Sequence, residues 1–169
     1  AIVFMLPMGL SSATAVLVGK AYGAGDHEGV KRAGWIGMAV VAALATVVGL
    51  VIWPTAHLIT GAYSNDAAVL AIAAPALALA TLFFVADAIQ VVAAQANRAA
   101  GDVLMPTVMH FVSYGVVMIP LGFILAPTLG VNGLVWAVIV ASLISGLLLG
   151  LRFHRISRRA ARTSHQAAG

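Results

Sequence analysis

The sequence predicts an all-α protein, a polytopic transmembrane bundle of five spans. Three observations predict it. Of its 169 residues, 62% are hydrophobic and 8% are charged, whereas a soluble domain carries about 25% charged residues. The mean hydropathy is +1.06, and the apolar residues gather in five runs, each near or above the roughly 20 residues that a spanning helix needs. The basic residues fall only in alternate connections between those runs. Lipid offers no partner to bare backbone, so helices are the expected form. The alternating segments of about ten residues that a membrane barrel requires are absent. There is no cysteine, which excludes disulfides and thiolate metal sites.

Span I covers residues 2–19 and carries Ser11, Ser12 and Thr14, which either line a cavity or bond to their own helix carbonyls. The segment Gly23-Ala24-Gly25-Asp26 follows. It superficially resembles a phosphate loop, but it lacks the GxGxxG spacing and no strand–helix unit surrounds it. It reads as a tight turn in which Gly23 and Gly25 supply left-handed backbone and Asp26 caps the next helix. Span II covers residues 33–53, and Pro54 opens the connection to Asp66. Span III covers residues 67–96. Ala99-Ala100-Gly101-Asp102 repeats the glycine–acid turn before span IV, residues 103–126, which carries His110, Ser113 and Tyr114. His110 reads as an interfacial residue. Span V covers residues 131–151, with Gly146 and Gly150 in the GxxxG spacing that allows close helix packing. Gly9, Gly37 and Gly49 are further packing candidates. Pro7, Pro75 and Pro120 each remove a backbone donor and can kink spans I, III and IV. Residues 1–151 thus form a transmembrane bundle and residues 152–169 a basic cytoplasmic tail.

Orientation follows from the basic residues. Lys20, Lys31 and Arg32 lie between spans I and II, Arg98 between III and IV, and Arg152, Arg155, Arg158, Arg159 and Arg162 in the tail. These nine account for all the Lys and Arg, all on one side. The expected arrangement is a multi-pass protein of the cytoplasmic (inner) membrane, this chain's N-terminus outside and its C-terminus in the cytoplasm. Trp35 and Tyr22 fall near the inner interface, and Trp53, Tyr63 and Trp136 near the outer one, as aromatic belts require. The net charge of +4 is explained by topology and contact with an anionic bilayer, not by nucleic acid. A first span that enters from outside without a signal peptide implies an upstream helix. The chain is therefore expected to be the C-terminal part of a longer protein.

Span III carries the sharpest candidate site. Asp87 stands 11 residues before Arg98, about 16 Å along a helix, which places it inside the hydrocarbon. An ionisable group there is costly and marks function by default. Gln90 and Asn97 share its helical face. Loading a proton or a sodium ion would relieve the burial cost and could couple cation movement to a conformational change. Asp87 and Gln90 are the cation-coupling candidates, Asp87 also as a ligand of Na+; Asn97, Tyr114 and Ser12 are the cavity-lining candidates. No nucleophile, base and orienting acid converge, so no enzyme is expected, and no cofactor beyond a transported coupling ion, Na+ or H+.

Pro7-Met8-Gly9-Leu10-Ser11, Val18-Gly19 and Gly23-Ala24-Gly25-Asp26 occur in that order. Asp87 with Gln90, Arg98 with Gly101-Asp102, and Pro106 follow. Ile119-Pro120-Leu121 and the spaced Gly130, Gly133 and Trp136 complete the series. Together these resemble the multidrug and toxic compound extrusion (MATE) transporters, over nearly the whole chain to about Leu151. The resemblance implies twelve helices in two six-helix lobes related by a pseudo-two-fold axis along the membrane normal, of which this chain would supply helices eight to twelve. It implies expulsion of small cationic amphipathic compounds in exchange for sodium ions or protons. It also implies that Asp87 matches the tenth-helix acid of a cation site in the C-terminal lobe. The partners are then the bilayer, the substrate and the missing N-terminal lobe of the same chain.

The expected function is a membrane antiporter working by alternating access. Two alternatives differ from it. A lipid-linked precursor flippase of the same superfamily would carry basic residues in a central cavity, whereas all nine here lie at one face or in the tail. A non-transporting membrane assembly subunit would tolerate Asp87→Asn.

Overall fold

A computed structural model of the chain describes residues 2–63 and 66–167, with side chains for residues 4–63 and 66–158. Arg159 and Arg162 of the basic tail therefore lie outside the described side chains. Among the described residues six α-helices follow one another: α1 (Ile2–Gly23), α2 (His27–Gly61), α3 (Ala67–Ala99), α4 (Leu104–Phe111), α5 (Ile119–Leu129) and α6 (Val131–Ala167). A π-helical stretch, Val112–Met118, joins α4 to α5 without a break, so that Leu104–Leu129 is one span. Among the described residues, five helical segments are long and apolar enough to cross a membrane.

The helices overrun the apolar runs that seed them. α2 continues through Pro54 to Gly61, past the expected end at residue 53. A proline removes one backbone bond, but unwinding in lipid would strand several more. Thr55, next to the proline, gives its hydroxyl to the Val51 carbonyl at 2.7 Å within the same turn. Pro7 and Pro75 likewise sit inside unbroken α1 and α3. The irregularity appears before Pro120. Its ring crowds the carbonyl four residues back, that of Val116, and the π stretch that opens the backbone contains Val116. Pro120 thus accounts for the widened turn.

α3 is the central helix and packs against α1, α2 and α6. Its face at Ala86, Ala88, Ala93, Ala94 and Ala96 is buried; such small side chains let neighbouring backbones approach. The core lies toward the end of the bundle that bears the basic residues, around Val18, Val30, Val41, Val92, Leu149 and Phe153. Large apolar side chains line the outer surface, Leu50 and Phe123 among them, as lipid contact requires. Gly37 lets α1 cross α2, because a Cβ there would strike Thr14, and Gly34 makes room for the Phe153 ring in the same way. Gly9 and Gly150 have nothing near enough for such a role.

The connections are short. Gly25 (φ 71°) and Gly101 (φ 86°) hold left-handed backbone, which an L side chain rarely adopts. Gly23 does not share that role; it is the last residue of α1. Asp26 caps α2 by accepting from the Gly29 amide at 2.9 Å, and Asp66 caps α3 by accepting from the Ala68 amide at 2.8 Å. Asp102 accepts from the Met105 amide at 3.4 Å and from Arg152 Nε at 2.7 Å, which pins the α3–α4 connection to α6. Gly130 alone separates α5 from α6. α6 continues past residue 151 to Ala167, and Phe153 and Ser157 are buried in that extension. Their packing keeps the chain helical where its composition turns basic.

Candidate functional site

α3 brings Asp87 and Gln90 to the side facing the π stretch and α6. The two are three residues apart and therefore neighbours on the helix. Gln90 Nε2 donates to Asp87 Oδ1 at 2.7 Å and to the Tyr114 hydroxyl at 2.6 Å. An amide nitrogen has two protons, and both are used. The Tyr114 hydroxyl lies 2.9 Å from Ser142 Oγ on α6. Having accepted from Gln90, it has its own proton free for that serine. A turn away, Ser145 Oγ lies 2.9 Å from His110 Nδ1, and the His110 and Tyr114 ring centroids are 6.2 Å apart. Gly146 lies beside Gln90, with 3.8 Å to the Gln90 Cβ from where a Cβ of its own would stand. Three elements thus converge through side chains on a half-buried carboxylate inside a spanning helix.

Two oxygens in this region have no protein partner. Gln90 Oε1 and Ser113 Oγ are both buried and unpaired. A buried polar atom without a bond costs about 1–3 kcal/mol, and in native structures such an atom calls for a water, an ion or a function. The local donor set is hard oxygen: one carboxylate, one amide carbonyl and hydroxyls. Among the described residues no three His, Cys, Asp or Glu side chains converge.

Asp87, Gln90 and Tyr114, singled out from the sequence, meet as one group. Asn97 and Ser12 do not join them. Asn97 is fully buried, and its Nδ2 donates to the Ala93 carbonyl at 2.8 Å and the Leu149 carbonyl at 3.0 Å. It clamps α3 to α6 through Nδ2, and its Oδ1 is buried without a partner. Ser12 is exposed on α1 and returns its hydroxyl to the Met8 carbonyl. His110, read from the sequence as an interfacial residue, is drawn into the polar group by Ser145. Ser142 and Ser145 were not legible as site residues. The only available signal was a spacing of three on α6 matched by the spacing of four between His110 and Tyr114, and it carries meaning only once the two helices are paired.

The family model described as MatE matches residues 1–124. The chain belongs to the MatE family. This MatE chain is similar to a protein named probable multidrug resistance protein NorM from Caulobacter vibrioides, 48% identical over 99% of the chain and 36% of that relative. It is also similar to proteins of the same name from Xanthomonas campestris pv. campestris, 39% identical over 92% of the chain and 34% of the relative, and from Mesorhizobium japonicum, 39% identical over 79% and 30%. The chain spans about a third of the length of these curated relatives. The sequence resemblance and the family match therefore agree, and they agree over the part of the chain that holds the Asp87 group.

Proposed function

We propose that the chain forms part of a multidrug antiporter in which Asp87 carries the coupling cation. The observation that carries this reading is the Asp87–Gln90–Tyr114 group, a lone carboxylate inside a spanning helix with the unpaired Gln90 Oε1 beside it. A single negative charge is matched by a single monovalent cation, Na+ or H+, so loading neutralises the site. The remaining ligands to Na+ would be the amide and hydroxyl oxygens. The loaded and empty states differ in charge at a junction of three elements, and a packed junction responds to such a change by moving between discrete arrangements. Alternating access between the two membrane faces follows from that bistability. The names of the relatives, multidrug resistance proteins, support drugs as substrates; the sequence resemblance adds that these are small cationic amphipathic compounds, with the other lobe supplying the opposite wall of the path. The basic residues support a cytoplasmic location for the α1–α2 and α3–α4 connections and the α6 end, in the inner membrane.

The test is Asp87→Asn in the complete protein, read by efflux of a fluorescent cationic dye from cells under an imposed sodium or proton gradient. Gradient-driven efflux is expected to disappear while the protein remains in the membrane at its normal level. Full efflux by the variant overturns the reading.

A further inference from the structure

Trp35, Met38 and Ala42 of α2 face Gly146, Gly150 and His154 of α6 across an apolar trough of about 710 Å³. The glycines form its floor. Nothing lies within 4 Å of where a Cβ would stand on Gly150, so this part of the floor is open space. Trp35 and His154 close the basic end as an edge-to-face pair with ring centroids 6.3 Å apart. An aromatic pair of this kind belongs at the level of lipid headgroups. Lys31 stands one turn before Trp35 on α2, and Arg158 one turn after His154 on α6, so both continue the walls of the trough toward the aqueous side. Arg158 is exposed, and among the described residues Lys31 has only the surface pair with Glu28 at 3.7 Å, which contributes little.

We propose that this trough is a binding site for one anionic phospholipid, an acyl chain lying over Gly146 and Gly150 and the phosphodiester headgroup meeting Lys31 and Arg158 above the Trp35–His154 pair. The charge decides the occupant. Basic pockets between spanning helices on the cytoplasmic side recognise anionic headgroups, and the same two cations repel a cationic amphipath of the class proposed as substrate. A lipid here would lie against α3 and α6, whose contact holds the Asp87 group, since Ala86 and Ser142 line the inner end of the trough.

The experiment is native mass spectrometry of the complete protein, titrated with phosphatidylglycerol and with phosphatidylcholine of the same acyl chains. Phosphatidylglycerol is expected to bind more tightly, by about fivefold for each of the two cations. Lys31→Gln with Arg158→Gln should bring phosphatidylglycerol down to the level of phosphatidylcholine and leave the latter unchanged. Gly150→Leu fills open space and should weaken both lipids at least about fivefold. Ala39→Leu fills the trough from α2 and should do the same, so a folding defect in one variant leaves the other to decide. Equal affinity for the two lipids in the unaltered protein overturns the proposal, as does phosphatidylglycerol binding that survives both filling variants. Absence of retained lipid also overturns it, and would mean that another protein segment fills the trough.

Discussion

Asp87 and Asn97 occupy the same helix, and each lies by a buried oxygen without a partner, Gln90 Oε1 and Asn97 Oδ1, yet only Asp87 brings a carboxylate bonded to a side chain that reaches a second element. The sequence shows both as polar residues in an apolar run. It cannot show that Asn97 Nδ2 ends on the Leu149 carbonyl of α6, because that bond depends on how α3 and α6 are set against each other. Asn97→Leu is expected to lower thermal stability by about 0.6–1.7 kcal/mol, the range for interhelical side-chain bonds in membranes, with dye efflux per folded molecule unchanged. A thermal melt in detergent beside an efflux assay checks both halves. Asp87 was legible because a carboxylate in lipid is rare on energetic grounds alone. Gln90 was legible as its neighbour one turn on. His110, Ser142 and Ser145 were not, since a histidine near a span end and serines in an apolar helix are both ordinary until their partners are placed.

The helices themselves were legible to within a turn or two at their apolar centres and misjudged at their ends. Composition marks where the hydrocarbon stops; hydrogen bonding marks where a helix stops, and α2 and α6 continue well past the first limit. The π stretch was signalled only by Pro120, and its consequence is local. The widened turn holds Tyr114 against Gln90 with Ser113 buried beside it. Deleting Val112 restores the ordinary helical ladder and moves Tyr114 into the position that Ser113 now holds. Efflux is expected to fall about tenfold, the worth of one hydrogen bond of about 1.4 kcal/mol, with the membrane level of the protein preserved. Immunoblotting of membranes beside the efflux assay separates loss of function from loss of protein. Full efflux would show that the wide turn is dispensable.

At the scale of the whole molecule, the basic residues and the helix count together predict an orientation that labelling can check. The chain has no cysteine of its own, so a cysteine placed in it marks one known position once any cysteine elsewhere in the complete protein is replaced by serine. Ala62→Cys, exposed between α2 and α3, is expected to react with a membrane-impermeant maleimide on intact cells. Ala24→Cys, exposed between α1 and α2, should react only after permeabilisation. The reverse pattern would invert the proposed topology. Gly130, the entire connection between α5 and α6, bears on how that topology is made. A one-residue joint leaves no slack during synthesis, so α5 cannot settle in the bilayer before α6 has begun to emerge from the ribosome. The two helices enter as a hairpin, and a chain halted before α6 is made leaves α5 without Gly133, the residue against which its Leu125 carbonyl rests.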